Sequence, residues 1–444
     1  MRWIRRHPFV TSLLMLALLA VATWVLIRPP TLPPATAPLQ LPDGSSVSVM
    51  TTTYGTRHRI GPWLAHLVDR LPGRARVWAF QWLGTSAALR FSADTSEPML
   101  LVWVLRNPIT NSAALPRHAY TVQLADAQGA VAGQTVNYVG YPLEHLQFSL
   151  FPRRDRELRL RFFERGSSPK THDCGTLTVP NPFYAAYPEW TPDVLPARRE
   201  TKEFVATLSQ VTTGHGMGLT HTALADGSTR VTRAPGRPGE VNYTWVKLDV
   251  RSAPPTNTQW QVAGVEITDA TGNRCEDTMI SWDNAAAGFA FYPALWPGET
   301  YRLKLQLRRN NNLPAEEVIT FRSVPLGNVD QKTPVHQTQT AKGVTLALER
   351  VLRRAPNTND AWSGNQLSQV TFTNAPLPAG LHLEFLEATF DTGETAEAAT
   401  TTTTDTERTY CFKAVPTTAR TADFRFAVQP LRTVEFTVRP EAAK

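Results

Sequence analysis

Cysteine is almost missing from this chain: Cys174, Cys275 and Cys411 are the three in 444 residues. They lie far apart and match neither CxxC nor zinc-ligand spacing, so no disulfide framework and no structural metal site is encoded. An odd count of thiols fits small buried hydrophobes better than it fits chemistry. Equally absent are the GxSxG, HExxH, SxxK and phosphate-loop patterns, each of which holds a nucleophile, a base or an anion cradle at a fixed spacing. Neither catalysis nor a cofactor is therefore expected. An exported carbohydrate-active or hydrolytic protein, or a carbohydrate-binding one, stays open as the second reading, because a triad or a carboxylate pair assembles from distant loops without a local motif.

Acidic residues are outnumbered, 38 Asp and Glu against 45 Lys and Arg, for a net charge of +7. That excess invites a polyanion-binding reading, but net charge speaks to solubility and non-specific contact, and an arginine-favouring composition accounts for it. No nucleic-acid partner is expected. A mean hydropathy of -0.25 excludes a multi-span membrane protein, while 42% hydrophobic residues and 12 Trp supply packed cores. The length suits roughly two to four domains.

Only one long apolar run draws attention. Phe9 to Ile27 carries no charge and is long enough as a helix to cross a bilayer core of about 30 Å. Arg2, Arg5 and Arg6 precede it and Arg28 follows, so the positive-inside rule keeps residues 1–8 in the cytoplasm and the body outside it, periplasmic or at the cell surface. A cleaved signal peptide competes through Ala20-Val21-Ala22, although the apolar run continues through Trp24 to Ile27 and the later Ala35-Thr36-Ala37 is followed by Pro38. Both readings export the body. The proline-rich stretch 28–43 reads as an extended stalk, and a tail of eight residues is too short to hold a signalling effector.

Self-similarity is the most specific signal. Three strand patterns end in an Asp-to-Gly turn, at Asp126–Gly129, Asp269–Gly272 and Asp391–Gly393. After each glycine an aromatic strand ends at a proline, Pro152, Pro293 and Pro416, at offsets of 23, 21 and 23 residues. A period-two strand follows in every copy (Leu158–Phe162, Tyr301–Leu307, Phe424–Val428), then a closing strand (Gly175–Val179, Val318–Phe321, Val434–Val438). Opening strands fall near Ser45–Met50, Phe204–Val211 and Val344–Leu352, and second strands at Met99–Leu105, Tyr243–Val250 and Gln369–Thr373. About seven short alternating strands per copy predict an all-β chain of three tandem antiparallel Greek-key sandwiches.

In the middle copy, Leu295-Trp296-Pro297-Gly298-Glu299-Thr300-Tyr301-Arg302-Leu303 resembles the E to F corner of fibronectin type III domains, a branch of the immunoglobulin-like sandwiches. The resemblance implies that the Tyr301 hydroxyl bonds back to the corner backbone around Pro297 and Gly298, with Leu303 and Leu305 in the core. It covers one turn and one strand; Leu158 and Phe424 stand where the other copies would need the tyrosine. The expected organisation is a tail (1–8), a transmembrane helix (9–27), a stalk (28–43), sandwiches at 44–180, 197–325 and 337–440, and linkers at 181–196 and 326–336.

The first copy carries an insertion whose residues 61–71 have the spacing of a short helix. Around it Arg57, Arg59, Arg70, Arg74 and Arg76 interleave with Trp63, Trp78 and Trp82. This segment reads either as a contact for anionic lipid headgroups or an envelope polymer, or as a helix capping an open sandwich end. The cluster Arg153, Arg154, Arg156, Arg159, Arg161 and Arg165 is interspersed with acids and reads as mixed surface charge. Gly214 to Gly218, with His215 and nearby His221, reads as a long hairpin loop rather than a metal site, and Thr400–Thr404 as a flexible or edge-strand loop. Trp78, Trp82, Trp190, Trp282, Trp296 and Trp362 are candidate sugar platforms, with core or domain contacts as their ordinary role. The expectation is a non-catalytic, membrane-anchored spacer and interaction module for a protein partner or an envelope polymer.

Overall fold

The computed structural model describes residues 36–42, 44–60, 91–107, 119–132, 135–137, 143–165, 172–223, 229–236, 242–277, 281–283, 288–354, 368–404, 406–412 and 415–443. Among these the chain is all-β, with six sheets in which every strand pair but one is antiparallel. No helix of the described residues is long and apolar enough to cross a membrane. The Phe9–Ile27 segment, the stalk up to residue 35 and the expected helix at 61–71 lie outside the described residues.

The sheets come in three pairs. Sheet 1a runs β1 (Leu39–Gln40), β2 (Ser46–Ile60), β3 (Phe91–Asn107), β7 (Leu143–Phe148), β6 (Thr135–Asn137); sheet 1b runs β5 (Val131–Ala132), β4 (Ala119–Ala125), β8 (Glu157–Arg165), β9 (His172–Pro180). Sheet 2a runs β10 (Ala197–Glu200), β11 (Phe204–Ala223), β13 (Tyr243–Ser252), β17 (Gly288–Phe291), β16 (Ser281–Asp283), with β12 (Thr229–Pro235) and β29 (Glu441–Ala442) also on β11. Sheet 2b runs β15 (Arg274–Asp277), β14 (Trp260–Asp269), β18 (Tyr301–Arg309), β28 (Arg432–Val438). Sheet 3a runs β20 (Lys332–Ala341), β21 (Val344–Leu352), β22 (Ser368–Asn374), β26 (Glu407–Phe412), β25 (Thr400–Thr403); sheet 3b runs β19 (Val318–Pro325), β27 (Thr421–Pro430), β23 (Leu381–Phe390), β24 (Thr395–Ala396).

Alternation makes these strands. In β18, Tyr301, Leu303, Leu305 and Leu307 are fully buried, while Arg302 is exposed and Lys304 and Gln306 are partly so. Leu158, Leu160 and Phe162 do the same in β8, and Phe424, Phe426 and Val428 in β27. Each such side chain contributes about 1.5–3 kcal/mol on burial, and a one-residue slip would turn the set toward water. The three repeat turns also share one geometry: Gly129, Gly272 and Gly393 have φ of 86°, 91° and 85°, a region that glycine enters without a Cβ penalty. In the third turn the aspartate is displaced. Phe390, not Asp391, makes the closing backbone bonds with Gly393 and Glu394, and the Asp391 carboxylate accepts from the Arg420 backbone N–H instead.

The closing strands depart from the expected order. In the first pair, β9 closes on β8, its neighbour in sequence. In the other two pairs the partners are exchanged: β18 pairs with β28, from Tyr301↔Val438 to Leu307↔Arg432, while β19 pairs with β27, from Val318↔Ala427 to Pro325↔Thr421. The sequence expectation that Val318–Phe321 closes the second copy and Val434–Val438 the third is therefore corrected. Both segments alternate in the same way, and alternation specifies a buried face without specifying which sheet lies beneath it. Lys332 to His336, expected as linker, belongs to β20. Gly214 to Gly218, expected as loop, lies within β11, where Gly214 (φ 87°) marks a register shift as pairing passes from β13 to β12. Thr400–Thr403 forms an edge strand.

One continuous apolar cluster runs through the first two pairs and includes Val434, Phe436 and Val438 from β28. A second fills the third pair, with Phe372, Phe424 and Phe426 among its buried rings.

Candidate functional site

The expected anchor flanks Arg2, Arg5, Arg6 and Arg28 lie outside the described residues, as do Trp63, Arg70, Arg74, Arg76, Trp78 and Trp82. Arg57 is exposed on β2 opposite Asp94, and Arg59 lies opposite Ser92 on the same strand pair. Near that end of sheet 1a, Trp103 Nε1 donates to Thr53 Oγ1 at 2.9 Å, and the same hydroxyl lies 2.9 Å from His58 Nδ1. Burial pushes His58 and His145 below the usual histidine range. Among the described residues no group of three His, Cys, Asp or Glu side chains is placed to hold a metal.

The richest polar constellation joins the first sheet pair to the second, and it is built from the arginine cluster expected to be surface charge. After Pro152 the chain turns, with Asp155 N–H donating to the Pro152 carbonyl at 3.1 Å, and this drives Arg153 inward to 8% exposure. Its Nε donates to Asn273 Oδ1 at 3.0 Å and its Nη1 to the Thr271 carbonyl at 3.1 Å. Its guanidinium lies 4.6 Å from the Tyr54 ring centre and 4.7 Å from that of Phe151, a desolvated cation–π geometry. A Cβ on Gly272 would sit 3.6 Å from Arg153 Nη1, so the second repeat turn serves as the socket. Asn273 Nδ2 in turn donates to the Phe151 carbonyl at 2.9 Å and to Asp269 Oδ2 at 2.8 Å.

Arg154 completes the junction. Its Nε donates to Glu299 Oε2 at 2.7 Å, and its Nη1 and Nη2 reach the carbonyls of Tyr187 and Pro188 at 2.9 and 2.6 Å. The connecting coil lays its aromatics over further arginines: Tyr184 beside Arg156 at 5.4 Å and Trp190 beside Arg302 at 4.8 Å. Next to the socket, the Tyr301 hydroxyl accepts the Trp296 backbone N–H at 3.0 Å, with Pro297 and Gly298 in the turn between them. Burial raises the Asp269 carboxyl above the ordinary aspartate range and the Tyr301 hydroxyl well above that of a free phenol.

The second and third pairs meet through different chemistry. Arg308 forms an ion pair with Glu384. The Arg309 backbone and the Gln429 side-chain amide exchange two bonds of 3.0 Å each, and Arg309 Nη2 lies 3.2 Å from Glu317. Beside them, burial first and then the Arg308 and Arg408 cations lower His382 to about 4.

Of the tryptophans considered as sugar platforms, Trp296 is buried and Trp190 is covered by Arg302. Trp362 and the two insertion tryptophans lie outside the described residues. An open groove of about 940 Å³ crosses the outer face of sheet 2a, lined by Arg198, Val205, Thr207, Asp249, Arg251 and the loop from Ala253 to Gln259. Asp249 is the one carboxylate in that lining, whereas glycoside hydrolysis uses a facing pair. Set against protein-family models, curated proteins and solved structures, the chain matches none of them.

Proposed function

We propose that this chain is a non-catalytic spacer and interaction protein, tethered by Phe9–Ile27, with three immunoglobulin-like or fibronectin III-like sandwiches held outside the cytoplasm. The observation that carries the reading is the buried arginine contacts and exchanged strands at the two junctions. Linked domains meet by default through small polar contacts that leave them free to swing. Here Arg153 is buried in a socket 118 to 120 positions away, and the second and third pairs share strands in both directions. Such a body keeps a fixed spacing between its ends and presents loops in constant relative positions, which suits a partner that reads more than one sandwich.

The test combines topology and capture. Protease added to sealed membrane vesicles of known orientation should reach the body only from the extracytoplasmic side, and alkaline washing should leave the chain in the membrane. Cross-linking in those membranes should capture the same partner or polymer repeatedly. Replacing Arg153 and Arg154 together with alanine, in a chain that still folds and stays membrane-bound, should reduce that capture. A body protected on the extracytoplasmic side, or released by the wash, would overturn the reading.

A further inference from the structure

The strand exchange leaves β28 in a slot rather than on an open edge. One side of β28 is laddered to β18 over seven residue pairs. On the other side lies the coil that leads into β10: Asp193 N–H donates to the Thr437 carbonyl at 2.7 Å, and Asp193 Oδ2 accepts the Thr437 N–H at 2.9 Å. Arg199 donates to the Glu435 carbonyl at 3.1 Å and lies 5.1 Å from the Phe436 ring centre. Arg302 pairs with the Glu435 carboxylate at 3.0 Å. Beneath, Val434, Phe436 and Val438 enter the core shared by the first two pairs.

We propose that this slot is a strand-binding site whose ligand is the chain's own Arg432–Val438 segment. The slot selects an extended peptide with apolar side chains at alternate positions and a carboxylate between the first two, read by Arg302. Recognition follows the strand-addition mode: backbone bonds along β18 supply affinity, and the alternating pockets supply register. A slip of one residue would drive Glu435 and Thr437 into the core. Only Leu431 separates β28 from β27 of the third pair, while Asp193 belongs to the coil that connects the first pair to β10 of the second. The seated segment therefore touches the second pair and the coil leading into it and continues into the third pair, and its seating sets the geometry of the second pair against the third.

The experiment uses the chain shortened to end at Pro430 and a synthetic peptide of residues 431–443. Hydrogen exchange is read along residues 301–309 and 191–199. The shortened chain should exchange faster there, the peptide should bind it one to one and restore slow exchange, and a Phe436→Asp peptide should bind roughly tenfold or more weakly. Native protection in the shortened chain without peptide, or equal binding by the two peptides, would overturn the proposal. Should shortening prevent folding, the full-length Asp193→Ala and Thr437→Pro variants decide. Faster exchange at both 191–199 and 301–309, with β4 and β8 unchanged, supports the slot, and exchange like that of the unaltered chain refutes it.

Discussion

Arg153 Nε donates to Asn273 Oδ1 at 3.0 Å across 120 positions of sequence. That bond, the adjoining Thr271 carbonyl and the Tyr54 and Phe151 rings replace the water a guanidinium normally keeps. Arginine suits the site because its planar fork satisfies a side-chain amide and a carbonyl at once while its face lies on the rings.

Arg153→Ala should lower the unfolding free energy by about 2–4 kcal/mol, since it removes charge-assisted bonds and strips partners from buried Asn273. Arg153→Lys should recover only a minor part of the loss, because an ammonium cannot stack or bridge in that fashion. Urea denaturation of the three proteins provides the measurement. A lysine variant as stable as the parent would show that charge alone matters there.

Tyr301→Phe isolates a single acceptor. The ring stays in the core while the Trp296 N–H loses its partner in a dry site, which costs about 1–3 kcal/mol. Thermal melting should register a lower Tm, and a change lost in the noise would mean the N–H finds another acceptor.

Phe436→Ala should cost about 3–5 kcal/mol through transfer and cavity terms. Its location is the sharper point. The ring belongs to the core of the first two pairs although its neighbours in sequence, β27, belong to the third, so amide exchange should quicken in β14 and β18 more than in β21 and β22. The opposite ranking would contradict the exchanged topology.

His382 makes stability depend on pH in a defined direction. Its folded value of about 4 lies below the ordinary 6.5, through burial and then the cations of Arg308 and Arg408. The fold therefore prefers the neutral ring. The stability tied to it is complete above pH 6.5 and is lost as pH falls through about 4. With a discount for partial exposure, the loss is on the order of 2 kcal/mol. His382→Gln should flatten the wild-type slope across that window in pH-dependent denaturation. Parallel profiles for the two proteins would remove His382 as the cause.

Much of the local structure was legible in the residues. Strand alternation at Leu158–Phe162, Tyr301–Leu307 and Phe424–Val428 is a period of two in the sequence, and it remains so in the sheets. The glycines at 129, 272 and 393 could be aligned because a left-handed turn position admits few other residues. The candidate junction was not legible. Arg153 and Arg154 sit among Asp155, Glu157 and further arginines, a local pattern shared by any solvated face, and the socket that buries Arg153 is a turn in the following repeat.

The residues alone are enough to say that this body is β, which side chains of each strand leave water, and where its repeated turns fall, because those properties depend on neighbours one to four positions apart. Which sheet each closing strand joins is settled by packing across the whole chain. Val318–Phe321 and Val434–Val438 present equivalent faces, and either sheet could cover either one as far as local pattern goes. The choice rests on contacts such as Asp193 with Thr437 and Arg309 with Gln429, whose members lie more than a hundred positions apart and meet only once the chain is packed.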